Sequence, residues 1–134
     1  MLPAAKSIVK TEKAPGAIGP YSQAVRAGSI VFVSGQLALL PETGKLVDHD
    51  IQAETRQAVT NLKNILIAAG SSLDHVVKTT LFIRKMDDFS KINEVYGEFF
   101  LSDPPARSCV EVSCLPKNAN IEIEAIALLI SQTD

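Results

Sequence analysis

The sequence predicts an α+β fold in which two helices cover one face of a mixed six-stranded sheet, in the order βββ-α-β-α-ββ. Two stretches repeat their apolar residues every three or four positions, which is typical of helices with one buried stripe. Six shorter runs alternate in polarity or are rich in β-branched residues, which is typical of strands. Because both helical stripes must be buried, a sheet that offers them one face accounts for all the elements. At 134 residues and 46% apolar content, the chain predicts one domain, residues 1–134.

The first three strands come from the N-terminal third of the chain. Residues 7–11 alternate in polarity and predict an edge strand. Residues 22–26 and 29–34 predict a hairpin that turns at Ala27-Gly28.

A loop of fixed shape precedes this hairpin. Residues 14–21 contain two prolines and two glycines, so they continue neither a helix nor a strand, and they deliver Tyr21 to a definite place. The hairpin ends in Ser34-Gly35, where the glycine either lets the backbone come close to a ligand or forms a bulge or strand-end turn.

Two helices follow. Asp50 can cap the start of the first helix and Gly70 its end. Its apolar stripe consists of Ile51, Thr55, Ala58, Val59, Leu62, Ile65, Leu66 and Ala69. The second helix opens at Asp87-Asp88, and we assign its aromatic residues to the core, with no cofactor implied. Its buried side consists of Phe89, Ile92, Tyr96 and Phe99.

Residues 75–85 and 121–130 predict two further strands. In the first, Val77, Thr79, Leu81 and Ile83 share one face. In the second, Ile121, Ile123, Ala125, Ala127 and Leu129 share one face. The helices cover only one side of the sheet, so strongly apolar positions remain for a partner subunit, and a homo-oligomer with its sheets packed inward would bury them.

The remaining strand lies between prolines within residues 104–116 and carries Arg107. Alternation places Arg107 and Cys109 on the same face of this strand. We expect one face of the strand to contact the core and the other to line a site. An arginine offers a planar fork of donors that can hold a carboxylate in two hydrogen bonds. The alternative is a solvated arginine at a strand end. No histidine lies near Cys109 in the sequence to activate it, so a packing role in the core is favoured over a role as a nucleophile.

Glu122 begins an otherwise apolar strand, where a carboxylate needs a partner, water or a raised pKa. A carboxylate near a fixed cation and a phenol can position a water and move a proton without a metal or cofactor. A solvated glutamate at a strand end explains the pattern equally well.

Composition and residue spacing weigh against several classes of function. The net charge is −2 and there is no dense Lys/Arg tract, so a nucleic-acid partner is disfavoured. The two histidines, His49 and His75, lack the usual ligand spacing, and we expect no metal. Cys109 and Cys114 point to opposite faces of a strand, so both are expected to be thiols in a reducing compartment.

No run is apolar and long enough to span a bilayer, and no secretory signal is present at the N-terminus. We therefore expect a soluble, intracellular, cytoplasmic protein with no membrane partner. A plastid or mitochondrion remains open as its location if a transit peptide has been removed.

Five motifs together resemble the RidA (YjgF-type) reactive-intermediate deaminase family. They are Gly-Pro-Tyr-Ser-Gln-Ala at 19–24, Val-Ser-Gly-Gln at 33–36, Pro-Ala-Arg-Ser-Cys-Val-Glu-Val at 105–112, Leu-Pro-Lys at 115–117 and Ile-Glu-Ile-Glu-Ala at 121–125. Their order and spacing match over residues 10–129, nearly the whole chain. The resemblance implies a chorismate-mutase-like fold and a homotrimer whose sheets form an inner barrel, with three clefts between subunits. In that fold the last two strands need not pair with each other.

The resemblance also assigns site residues. It implies that Arg107 binds a substrate carboxylate and that Glu122 positions a water, which makes these two the catalytic residues. Tyr21, Ser34-Gly35 and Cys109 would complete the substrate-binding shell, Cys109 through its backbone more than its thiol.

The implied activity is hydrolysis of 2-imino acids and their enamine tautomers to 2-oxo acids and ammonia, with no cofactor. Two other hypotheses are an endoribonuclease or translation inhibitor, and a non-catalytic carboxylate-binding or chaperone-like module. Pro104 stands where many family members carry an aromatic residue, a departure that bears on the wall of the cleft.

Overall fold

The computed structural model describes residues 5–130, so the two ends of the predicted domain lie outside the described residues. The order βββ-α-β-α-ββ and the α+β class are confirmed. The strands are β1 Lys6–Val9, β2 Ala24–Ala27, β3 Ile30–Gln36, β4 Val76–Ile83, β5 Ala106–Glu111 and β6 Ile121–Leu128. The helices are α1 Ile51–Ala69 and α2 Phe89–Phe99. Neither helix is long and apolar enough to cross a membrane, as far as the described residues go.

The six strands form one sheet in the order β1-β2-β3-β6-β4-β5. Strands β4 and β5 are parallel, and the other neighbours are antiparallel. The last strand, β6, therefore lies in the centre of the sheet between β3 and β4. Strand β5, which carries Arg107, lies at one edge, so Arg107 and Glu122 stand two strands apart.

Helix α1 packs its apolar stripe on the sheet and ends as predicted. The Asp50 carboxylate accepts from the backbone N–H of Ala53 at 2.8 Å and caps the first turn. Gly70 adopts φ +88, the left-handed conformation that favours glycine at a helix end. The fully buried part of the stripe consists of Thr55, Ala58, Val59, Leu62, Ile65 and Leu66.

Helix α2 begins at Phe89, directly after the predicted Asp87-Asp88, with Asp88 at its N-cap position. A 3₁₀ turn over Met86–Asp88 precedes it, and the Glu111 carboxylate accepts from the backbone N–H of Met86 at 2.7 Å. The aromatic residues of α2 belong to the core as predicted: Tyr96 is buried, and Phe89 and Phe99 pack against the core from its rim.

One face assignment in β4 is wrong. Val77 was predicted to share a face with Thr79, but the register shifts between Val76 and Lys78. This bulge turns Val76 into the core and leaves Val77 44% exposed. From Thr79 onward the predicted alternation holds, with Thr79, Leu81 and Ile83 buried.

The sheet face away from the helices, which we call the open face, exposes several large apolar side chains. Phe82 pairs with Glu122 on β6 and with Val110 on β5, so all three project to this face. Phe32 pairs with Ile126 there. Phe32, Val110 and Leu128 are each 44–45% exposed.

Candidate active site

A pocket of about 440 Å³ lies where β3 ends and β6 begins. Four of the predicted site residues line it: Tyr21, Ser34, Gly35 and Glu122. They come from three separate segments of the chain, which the pairing of β3 with β6 and the folding of the N-terminal loop bring together. Arg107 and Cys109 do not line this pocket.

Position 35 requires a glycine because the Glu122 side chain occupies the space next to it. A Cβ atom added at this position would lie 2.7 Å from the carboxyl carbon of Glu122. Gly35 is not among the glycines with positive φ, so the reason for glycine here is space and not backbone conformation. The bulge predicted as one alternative is present, because the register of β3 against β6 shifts between Val33 and Gln36. The group that comes close to the Gly35 backbone is the Glu122 carboxylate.

The Glu122 carboxylate is half-buried in the pocket. Burial raises its pKa above the ordinary value, and the nearby Glu124 carboxylate raises this pKa further. Among the described residues no hydrogen-bond donor contacts the Glu122 side chain. A carboxylate with a raised pKa and free acceptor atoms is suited to accept a proton from a bound water.

The hydroxyl groups of Tyr21 and Ser34 have partners within the chain. The Tyr21 hydroxyl accepts from the backbone N–H of Ile18 at 3.3 Å, which folds the loop over the ring. The Ser34 hydroxyl donates to the Ser22 carbonyl at 2.6 Å. Ser34 therefore lines the pocket and also holds the segment that carries Tyr21.

Gln23 shapes this loop, although no sequence pattern predicted a role for it. Its buried amide donates to the carbonyls of Thr11 at 3.0 Å and Pro15 at 2.8 Å, and its carbonyl accepts from the N–H of Thr11 at 2.7 Å. The sequence feature that could have indicated this role is the polar Gln23 within the motif at 19–24, which is buried beside Ala24. Gln23 secures the rigid loop from the inside.

Arg107 projects toward the helix layer. Its guanidinium carbon lies 4.8 Å from the ring centre of Tyr96 and 5.4 Å from that of Phe89. One of its terminal nitrogens donates to the Asn93 amide oxygen at 2.8 Å. Asn93, which the sequence analysis also missed, is the polar residue between Phe89 and Tyr96 on the same helical face. The guanidinium is thus held in one orientation at the edge of the sheet.

Cys109 follows Arg107 on the same face and packs against the core. Burial raises the pKa of its thiol, while the positive charge of Arg107 acts in the opposite direction. A thiol held protonated is a poor nucleophile. This environment favours the packing role over a nucleophilic one.

Within one chain, Arg107 and Glu122 do not converge. Arg107 pairs with Thr79, and Thr79 pairs with Ala125, all on the helix side of the sheet. Glu122 lies on the open face. The pocket lining carries two carboxylates and, among the described residues, no lysine or arginine. The lining of this pocket therefore offers a carboxylate-bearing ligand no positively charged side chain.

These features define a class of α+β protein: a six-stranded sheet with two helices on one face, a glutamate pocket in its centre and an oriented arginine at its edge. The family model described as "Endoribonuclease L-PSP" matches residues 11–129 of the chain. The chain belongs to this family, the RidA (YjgF-type) reactive-intermediate deaminases.

Relatives cover almost the whole chain. A RutC family protein of Pyrococcus horikoshii is 53% identical over 91% of this chain and 97% of its own length. The human 2-iminobutanoate/2-iminopropanoate deaminase is 45% identical over 92% of this chain and 90% of its own length. The crystal structure of Escherichia coli TdcF with bound serine has a TM-score of 0.89 at 47% identity, and the match covers 92% of this chain and 99% of that one.

Proposed function

We propose that this protein hydrolyses reactive 2-imino acids and their enamine tautomers, such as 2-iminobutyrate and 2-aminoacrylate, to 2-oxo acids and ammonia. The observation that carries the proposal is the half-buried Glu122 carboxylate, with its raised pKa, at the base of a pocket of metabolite size. The human relative is named for deamination of such imino acids. The proposal assigns no step to a metal or a cofactor.

In the proposed reaction, water adds to the imine carbon and ammonia leaves. Glu122 accepts a proton from the attacking water and passes it to the imine nitrogen. It then relays the hydroxyl proton of the resulting carbinolamine to the departing amine, so both protons of the water leave with ammonia and the charge of Glu122 is restored. Arg107 binds the substrate carboxylate through its planar fork and fixes the distance from the imine carbon to the water. Tyr21 and the backbone at Gly35 and Cys109 complete the polar shell.

We further propose a homotrimer with the active sites in clefts between subunits. Two observations support this assembly. Arg107 and Glu122 lie on opposite faces of the sheet in one chain, so Arg107 has to come from a neighbour to meet Glu122. The open face exposes large apolar side chains such as Phe32 and Leu128, which a neighbour would cover.

The test is the decay of freshly generated 2-iminobutyrate, competed against trapping by semicarbazide. Arg107→Lys keeps the charge but loses the fork, and one charge-assisted hydrogen bond is worth about 1.5–3 kcal/mol, or on the order of tenfold to a hundredfold in rate. Arg107→Ala should lose at least as much. Glu122→Gln should lose turnover while 2-oxobutyrate still binds.

Arg56→Ala is the matched control, because Arg56 is exposed and pairs with Glu98 on the outer helical surface. It should retain the wild-type rate. Full activity in Arg107→Ala or Glu122→Gln would remove that residue from the mechanism. Cleavage of RNA in place of imine hydrolysis would favour the endoribonuclease hypothesis, which the net charge of −2 disfavours.

A further inference from the structure

Helix α1 carries a fully buried carboxylate, Glu54, in its stripe facing the sheet. A buried charge is costly unless hydrogen bonds compensate it. Both Glu54 oxygens accept from a single residue, Asn120: Oε2 from the backbone N–H at 2.7 Å and Oε1 from the side-chain amide at 2.8 Å. The Glu54 carboxylate therefore binds Asn120 through two hydrogen bonds, a contact that we call the grip.

That point is the start of the strand carrying the proposed catalytic glutamate. Asn120 directly precedes β6, and Glu122 is two residues further on. In the preceding loop, Lys117 and Asn118 adopt φ +57 and +58, left-handed conformations that asparagine tolerates and that are costly for lysine. Such a loop persists only when its surroundings hold it. The other end of the loop, Pro116, lines the same pocket as Glu122.

We infer that Glu54 is a positioning residue, which acts through Asn120 to hold the Glu122 carboxylate in place against Gly35. This inference rests on the proposed function, because it assigns Glu54 a part in the same site.

The contact between Glu122 and Gly35 explains why this hold is needed. The carboxylate lies so close to the Gly35 backbone that even a methyl group would not fit between them. A shift at the start of β6 would carry Glu122 out of this position and into solvent. Misplacement of a catalytic group by about 1 Å costs on the order of a hundredfold in rate.

The chemistry of the grip allows a conservative rescue. In Glu54→Gln, the amide oxygen accepts from the N–H of Asn120, and the amide nitrogen donates to the Asn120 side-chain oxygen once that amide turns over. Both hydrogen bonds remain. Glu54→Ala removes both, and Asn120→Ala removes only the side-chain bond, which provides a milder variant if Glu54→Ala does not fold.

The decisive measurement is the titration of the Glu122 carboxyl carbon by NMR in protein labelled with ¹³C-glutamate, assigned with Glu122→Gln. The titratable groups that share its pocket are Glu124 and Tyr21. In the wild type we expect a raised pKa for Glu122. In Glu54→Ala this pKa should fall toward the ordinary glutamate value because the carboxylate moves into water. In Glu54→Gln it should stay as in the wild type.

Leu66→Ala is the control for general destabilisation. Leu66 is fully buried on the same helix and contacts neither partner of the grip by hydrogen bonding. It should lower the melting temperature while the Glu122 titration stays unchanged. An unchanged titration in both Glu54→Ala and Asn120→Ala would overturn the inference.

Kinetics provide a second test. Glu54→Ala should lower kcat for 2-iminobutyrate by tenfold or more, with a smaller change in KM. In a Glu122→Gln background it should cause no further loss, because residues that act through one another are not additive. Multiplied losses would overturn the inference. If the wild type itself does not hydrolyse imines, the proposed function fails, while the NMR titration still decides whether Glu54 positions Glu122.

Discussion

At the scale of single residues, the site depends on the lack of a side chain at Gly35 as well as on the Glu122 carboxylate. Gly35 provides the space that the Glu122 carboxylate occupies, and its glycine identity follows from this contact. Burial then raises the pKa of Glu122. The Glu124 carboxylate acts on this pKa in the same direction.

This leads to a prediction for Gly35→Ala. The new methyl group would overlap the Glu122 carboxyl group, which can only swing away. We expect imine hydrolysis to fall by tenfold or more while the fold is kept, because the obstacle is the mobile end of a side chain and not backbone. The measurement is the decay rate of 2-iminobutyrate together with the melting temperature.

Gly16→Ala is the control. Gly16 lines the same pocket, but an added Cβ there meets nothing within 4 Å. Its rate should stay near that of the wild type. Equal rates for the two alanine variants would show that contact with Gly35 does not set the position of Glu122.

At the scale of elements, α1 is both a core helix and a brace for the pocket. Besides Glu54, it buries Asn61, whose amide donates to the carbonyls of Leu37 at 2.9 Å and Leu39 at 2.8 Å. Leu37 and Leu39 line the pocket. Glu54 and Asn61 thus connect α1 to two segments beside the pocket, the start of β6 and residues 37–39. We therefore expect the position of these segments to depend on a folded α1.

The cap of α1 provides a pH-dependent prediction. The N–H of Ala53 lowers the pKa of Asp50 in the folded state. The stabilisation from this cap is therefore present above the unfolded value of 3.8 and is lost as the pH falls through the lower folded value. We expect Asp50→Ala to lower the melting temperature by a few degrees at pH 7 and by less at pH 3.

Thermal unfolding of wild type, Asp50→Ala and Asp48→Ala at several pH values would check this. Asp48 is exposed and outside the helix, so its replacement should have little effect at any pH. A deficit in Asp50→Ala that stays constant down to pH 3 would contradict the assigned role of the ionised carboxylate.

At the scale of the whole molecule, our proposal is a site shared between copies of the chain. The chain places the oriented Arg107 at the sheet edge and Glu122 on the open face, where each lacks the other. Assembly would bury the apolar open face and complete the site in one step.

Mixed trimers test this arrangement directly. Arg107→Ala and Glu122→Gln are each expected to be inactive, but together they supply one intact arginine and one intact glutamate from different chains. Unfolding and refolding an equal mixture should restore activity in about a quarter of the clefts, as expected for random assembly of sites shared by two subunits.

Two controls accompany the mixture. Arg107→Ala mixed with the double variant should stay inactive, because no intact arginine is present. Sedimentation should show a trimer at micromolar concentration for every sample. No recovery in mixtures that do form trimers would place Arg107 and Glu122 in the same subunit and contradict the shared cleft.

The sequence by itself determined the elements, their order and the family. These depend on neighbours in the chain: helical spacing, an aspartate cap at Asp50, a glycine end at Gly70 and five motifs in fixed order. It also identified Tyr21, Ser34, Gly35 and Glu122, which the fold brings to one pocket.

Only the tertiary structure decided which faces and partners these residues have. Alternation tells which residues of a strand share a face, but the insertion of β6 between β3 and β4 decides that Glu122 faces the open side and Arg107 the helices. The bulge that exposes Val77 and the grip of Glu54 on Asn120 likewise join distant segments. Strand pairing and buried hydrogen bonds between distant residues are set by the packing of the whole chain, so no local pattern specifies them.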